Sequence, residues 1–207
     1  MVNQEQILTI MQAIGEKINE EKLFLTELDN VIGDGNHGIN LARGFAEVEK
    51  KRPMMEGKDA GTIFKTVGMA LVSTVGGASG PLYGTAFMQA AKVTAGKTEL
   101  SLADFVSILD AAIAGVQMRG KAVAGEKTML DAMIPARDAI KAAQEAGKDA
   151  KTALAEGVAA AQKGVEYTKT IIATKGRASY LGERSLGHQD PGATSFTTML
   201  KVVAAHV

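Results

Sequence analysis

No cysteine occurs among the 207 residues, which excludes a disulfide framework, a thiol nucleophile and a thiolate metal site. Tryptophan is also absent and aromatic residues amount to only 4%, so the composition, rich in Ala, Leu, Met and Ile, suits helices better than sheets. Net charge is lacking as well. The 23 basic residues offset the 23 acidic ones and no basic tract stands out, which removes the electrostatic footprint of a nucleic-acid binder. No apolar run approaches the ~20 residues needed to span a bilayer. The first residues, Met-Val-Asn-Gln-Glu, lack the basic and apolar regions of a signal peptide, so the cytoplasm is the expected compartment. With 46% hydrophobic residues there is ample material for a core, and a single domain over 1–207 is expected.

What is present is concentrated between Asp29 and Asn40. There the chain reads Asp-Asn-Val-Ile-Gly-Asp-Gly-Asn-His-Gly-Ile-Asn, with carboxylates, carboxamides and an imidazole around closely spaced glycines. Glycine lets the backbone fold tightly enough to bring Asp29, Asp34 and Asn36 to one point, and hard cations want such an oxygen-rich convergence. From His37 onward the pattern is that of a helix start, whose free amides could hold a phosphate beside the cation. The plainer alternative is a polar turn between two helices.

The remainder reads as about eight helices without a convincing strand. Asn3 and Gln6 form a capping-box pattern before a helix over about 4–20, and a short turn through Leu23, Phe24 and Leu28 leads to Asp29. The second helix runs from His37 to before Pro53, with a polar link over 53–59. Asp59 caps the third, which stops at Gly76-Gly77-Ala78-Ser79-Gly80-Pro81. Pro81 opens the fourth, to about Ala95. Ser101 and Asp104 open the fifth, ending near Arg119, and Met129 begins a sixth that carries Pro135. Asp149 caps the seventh, whose apolar side extends toward Ile172. After a long loop over about 175–189, Asp190-Pro191 opens the last. Short links make successive helices antiparallel, so the loops near 29–37, 76–81, 119–128 and 174–190 share one end of an up-and-down bundle. Every motif-like loop falls in that group, which predicts a composite site there.

The glycine stretch at 76–80 is neither a Walker A loop nor GxGxxG after a strand, and serves either a phosphate or close helix packing. Lys121, Lys127, Arg177 and Arg184 fall at the same end as candidates to offset phosphate charge, and each is equally open to a solvated surface role. His188 fits a structural hydrogen bond as well as catalysis. Oxygen ligands, helix starts and a few cations suit phosphoryl transfer, whereas no spacing suggests a Ser-His-Asp hydrolase or a zinc centre.

Ile-Gly-Asp-Gly-Asn-His-Gly, Val-Gly-Gly-Ala-Ser-Gly-Pro-Leu-Tyr-Gly, Gly-Glu-Lys-Thr-Met and the long run from Lys175 to Ala193 resemble the nucleotide-binding L subunit of bacterial dihydroxyacetone kinase, over nearly the whole chain. The resemblance implies an all-α antiparallel barrel of eight helices holding magnesium and ADP or ATP at one end. It implies that Asp29, Asp34 and Asn36 ligate magnesium. Nucleotide contacts would come from His37, Gly38, Ile39, Asn40, Ala78, Ser79, Gly120, Met129, Arg177, Asp190, Pro191 and Gly192. Arg177 would be catalytic. The implied partners are a sugar-binding K subunit carrying dihydroxyacetone and, in the phosphotransferase-system form, an M subunit that recharges the bound nucleotide. The absence of a sugar-binding half favours that form. A transcriptional regulator and a second copy of the chain are further candidate partners. Against this stand a non-catalytic nucleotide-binding module and a kinase subunit for another short ketose. The chain departs from the family at Asn36, where an acidic residue is usual; an amide oxygen still ligates magnesium but brings no charge.

Overall fold

The computed structural model describes residues 1–207, and its first helix begins where the capping pattern places it. Asn3 Oδ1 accepts from the Gln6 amide and Gln6 Oε1 accepts from the Asn3 amide, each at 2.9 Å, closing the start of α1 (Gln4–Glu20) from both directions. The expected turn through Leu23, Phe24 and Leu28 is instead a helix, α2 (Lys22–Ile32). Its inward side is Leu25, Thr26 and Ile32, while Leu23 and Phe24 face solvent, so the residues that looked apolar do not mark its stripe. Only Glu21 separates it from α1. The Glu21 amide still donates to the Lys17 carbonyl and the Leu25 amide to the Glu21 carbonyl, so α1 and α2 make one rod with a single-residue break.

α3 (His37–Lys50) follows, then a single turn, α4 (Arg52–Met55), with Pro53 in its first positions; the expected polar link therefore starts as helix. α5 (Ala60–Thr74) is capped by Asp59, α6 (Ser79–Val93) starts just before Pro81, and α7 (Leu102–Gly120) has the Ser101–Asp104 capping box. α8 (Leu130–Glu145), α9 (Ala150–Thr168) and α10 (Pro191–Ala205) complete the set, the last two capped by Asp149 and Asp190. α9 stops at Thr168, so Ile172 lies beyond its stripe. The long loop contains a 3-10 segment (Arg177–Ser185). The one sheet is a two-residue antiparallel pairing of β1 (Val2–Asn3) with β2 (Glu99–Leu100), Val2 opposite Leu100. It is too short to leave an alternating pattern in the sequence.

The helices close into a ring. α1 packs on α3, then α5, α6, α7, α8, α9 and α10 follow in order, and α10 returns to α1. This is the antiparallel barrel the sequence predicts, with α2 and α4 added. Ile18, Leu25, Leu41, Ile63, Leu130 and Ile140 are fully buried in it, each stabilising the fold by about 1.5–3 kcal/mol relative to exposure. α8 runs unbroken through Pro135, which cannot donate to the Asp131 carbonyl one turn earlier. α9 closes over that carbonyl with Gly164, where an added Cβ would lie 2.1 Å from the Asp131 oxygen. No larger residue permits that approach.

One end of the barrel is tied between the start of α5 and the α6–α7 link: the Ala60 amide donates to the Lys97 carbonyl at 2.8 Å and the Gly96 amide to the Asp59 side-chain Oδ1 at 3.0 Å. There an apolar hollow of about 180 Å³ lies on the axis, reached by both Met1 and Val207. The opposite end is built from the four motif-bearing loops. No helix is long and apolar enough to cross a membrane.

Candidate nucleotide and metal site

At the loop-rich end a cavity of about 530 Å³ opens among the α2–α3, α5–α6, α7–α8 and α9–α10 connections. That volume falls in the range of cofactor sites, roughly 300–1,000 Å³. Asp29, Asp34, Asn36, His37, Ala78, Ser79, Gly120, Met129, Arg177, Asp190, Pro191 and Gly192 all line it, though distributed over four loops in sequence. Gly38, Ile39 and Asn40 do not. Gly38 packs on the Lys22 carbonyl, the Ile39 amide donates to Thr26 Oγ1 at 3.2 Å, and Asn40 sits behind Asn36.

Asp29 is in the last turn of α2, and its Oδ2 accepts from the amides of Asn36 and His37 at 2.9 and 3.0 Å. Gly33 lets the chain turn against this carboxylate, since a Cβ there would stand 1.9 Å from Asp29 Oδ1. The amides of Asn36, His37 and Ile39 are engaged by protein and only that of Gly38 is left without a protein acceptor, so the start of α3 is not the fully open phosphate cradle expected of it. More free amides are found at the start of α6. The amides of Gly77, Ala78 and Ser79 donate to no protein acceptor and border the cavity.

His37 joins three helices. Its Nδ1 meets Ser79 Oγ at 2.8 Å on α6 and its Nε2 meets Ser195 Oγ at 2.9 Å on α10, where Tyr83 Oη also reaches Ser195 Oγ at 2.7 Å. Burial lowers the His37 pKa to about 4, so the ring is neutral near pH 7 and acts as a spacer between helix starts. Asn36 Oδ1 accepts from Asn40 Nδ2 at 2.8 Å, and Asn40 Oδ1 accepts from Arg43 Nη2 at 2.8 Å. Asp190 caps α10 through the Ala193 amide at 2.7 Å, while loss of water around its carboxyl pushes its pKa up to about 7.

Among the cations the structure separates what the sequence left together. Arg177 projects from the 3-10 segment, 65% exposed at its side chain, and its Nε lies 3.0 Å from Asp34 Oδ2 across the cavity mouth. Lys121 is an exposed left-handed cap of α7, and Arg184 is exposed on the outer loop; neither lines the cavity. Lys127 borders the cavity but is 1% exposed, with its ammonium bonded to backbone carbonyls. His188 is outside the lining. Arg119 and Lys175 do line it and were not anticipated. Arg119 belongs to the last turn of α7, whose end the bundle argument had already placed here.

No three His, Cys, Asp or Glu side chains gather as a metal cluster. Magnesium does not require one, because it binds through one or two carboxylates and completes its shell with phosphate and water. Asp29 and Asp34 line one cavity, with Asn36 two residues beyond Asp34, and together they offer oxygen donors of that kind.

A model of the DAK2 domain matches residues 31–205. The chain belongs to the DAK2 domain family. It is 42% identical over 203 residues to the PEP-dependent dihydroxyacetone kinase, ADP-binding subunit DhaL, of Escherichia coli (strain K12), covering 98% of this chain and 97% of that protein. It is 49% identical over 181 residues to the ADP-binding subunit DhaL of PEP-dependent dihydroxyacetone kinase 1 of Listeria innocua, covering 87% and 85%. Its barrel resembles the dihydroxyacetone kinase from C. freundii solved with AMP-PNP and Mg2+, with a TM-score of 0.74 and 26% identity over 96% of this chain. The DAK2 chain spans only about a third, 33%, of that longer kinase.

Proposed function

We propose that this chain is the nucleotide-carrying subunit of a dihydroxyacetone kinase. It holds ADP or ATP with magnesium and passes a phosphoryl group from a phosphotransferase-system donor subunit to dihydroxyacetone on a separate sugar-binding subunit. The observation that carries the proposal is the placement of open α6 amides, the Asp29–Asp34 acidic rim and the Arg177 guanidinium around one cavity of nucleotide size. Identities of 42% and 49% to separate ADP-binding subunits, against 26% to the longer C. freundii kinase, support the multi-subunit form.

Phosphoryl transfer asks mainly for positioning and charge stabilisation, and the residues divide accordingly. The amides of Gly77, Ala78 and Ser79 face phosphate oxygens, and neutral His37 fixes the start of α6 relative to α3 and α10. Leu82, Val116, Ala122 and Met129 give the cavity an apolar wall suited to a base. Arg177, on an exposed loop with a planar fork, offsets charge on the transferring group at the mouth. Asp29, Asp34 and the Asn36 oxygen would hold magnesium, which when bound draws charge from the phosphate oxygens.

Calorimetry with ADP tests the assignment. Binding is expected with magnesium and should weaken under chelation, and Asp34→Ala should lose most of the affinity with helix content intact, because a loop ligand contributes little to the core. ADP heats indifferent to magnesium, or loss of helical circular dichroism in Asp34→Ala, would count against it.

A further inference from the structure

Lys127 sits in a charged loop yet points inward. It is 1% exposed and takes a left-handed φ of 59°, which residues bearing a Cβ seldom adopt. Its Nζ donates to the carbonyls of Thr168 and His188, both at 2.5 Å, and to that of Ile171 at 3.4 Å. Thr168 is the last residue of α9, and His188 lies two residues before the cap of α10. One ammonium thus joins the point where the chain leaves one helix with the point where it enters the next.

Other bonds gather at the same base. The Gly187 amide donates to the Lys169 carbonyl at 2.8 Å, the Asp190 amide to Thr168 Oγ1 at 2.9 Å, and the Ala173 amide to Ser185 Oγ at 3.0 Å. Beyond that base the segment carries Lys175, Gly176, Arg177 and Ala178 into the cavity wall. A lysine that only satisfied the free carbonyls ending α9 would account for Thr168. It would not account for His188, which belongs to the returning strand of the loop.

We infer that Lys127 is a positioning residue for the transfer site: its buried ammonium fastens both ends of segment 169–189 and so sets where Arg177 stands over the cavity. This rests on the nucleotide reading of that cavity. Burial draws the Lys127 pKa down and the neighbouring Asp190 opposes that, so Asp190 is the charged group that faces it.

The lack of cysteine makes a chemical test available. Lys127→Cys, alkylated while unfolded, receives either an aminoethyl group, which restores an ammonium at lysine's reach, or a propyl group of equal length without charge. The ammonium form should match the native protein. The neutral form should raise amide exchange within 169–189 by about 10–100-fold, leave exchange in α5 and α6 unchanged, and release ADP roughly tenfold faster. Native exchange in 169–189 with native ADP release in the neutral form would overturn the inference. So would an even rise in exchange through the whole barrel, which marks loss of global stability.

If the neutral form does not refold, Lys127→Met folded in the cell decides. It keeps the length of the stem and removes the ammonium from the Thr168 and His188 carbonyls, and it should give the same local pattern; native behaviour there overturns the inference. Failure of the nucleotide reading is distinct, because the native protein itself would then bind no ADP.

Discussion

Asn36 shows how much of a residue's role depends on what stands behind it. Its oxygen accepts from Asn40, whose own oxygen is held by Arg43, so the amide is oriented by a chain ending in a guanidinium. A carboxylate in its place would keep the Asn40 bond and add an anionic oxygen beside Asp29 and Asp34. Asn36→Asp should therefore lower the magnesium midpoint for ADP binding by roughly tenfold, a modest figure for one added charge near a divalent ion partly open to water. Magnesium titration at fixed ADP with both proteins measures it, and equal midpoints would show that position 36 is not a ligand. Asp29, Asp34 and Asn36 were legible as an oxygen-rich loop between close glycines, while most of the other lining residues were named only through the resemblance. Lys127 was not legible, since its burial depends on carbonyls 41 and 61 residues away that no local pattern announces.

Helix starts were the most readable elements. The side chains of Asn3, Asp59, Ser101, Asp149 and Asp190 all accept from the backbone where expected, because a cap is decided within four residues. α2 escaped because its exposed Leu23 and Phe24 obscure the stripe that packs inward. The start of α3 was read only in part for another reason: the fold brings Asp29 onto the Asn36 and His37 amides that looked free.

The start of α7 gives a pH prediction. The Lys97 ammonium, 2.5 Å from Asp104 Oδ1, holds the Asp104 carboxyl down to about 2 from its usual 3.8, helped by bonds from Ser101. A depressed folded-state pKa contributes stability above the unfolded value and loses it as pH falls from about 3.8 to about 2. With Lys97 partly exposed, the contribution is about 1–2 kcal/mol. Asp104→Asn should lower the unfolding free energy by that amount at pH 7 and by almost nothing near pH 2, in urea titrations at the two pH values. An equal deficit at both would place the effect in packing instead of charge.

The separation of the molecule into a site end and a tied end followed from counting short links, and it survived a missed helix. α2 continues the direction of α1 through one residue, so overlooking it left the alternation of up and down intact. A full reversal there would have inverted every later loop. The small sheet and the closure of α10 onto α1 join residues far apart in sequence and left no signal that a local reading could use.

That closure also means the order of the helices around the ring does not depend on where the chain is cut. Met1 and Val207 both reach the same apolar hollow, at the end remote from the cavity. A bridge of about eight glycine and serine residues, reaching on the order of 16 Å, would make the polypeptide a circle. It can then be reopened at Gly147, where an added Cβ would meet open space and φ is a left-handed 73°. The permuted protein, beginning with α9 and ending with α8, should regain the helical spectrum and hold ADP as the native one does. Failure to fold would show that α1 must form before α10 can close the ring, which would make the barrel's assembly directional even though its finished form has no privileged first helix.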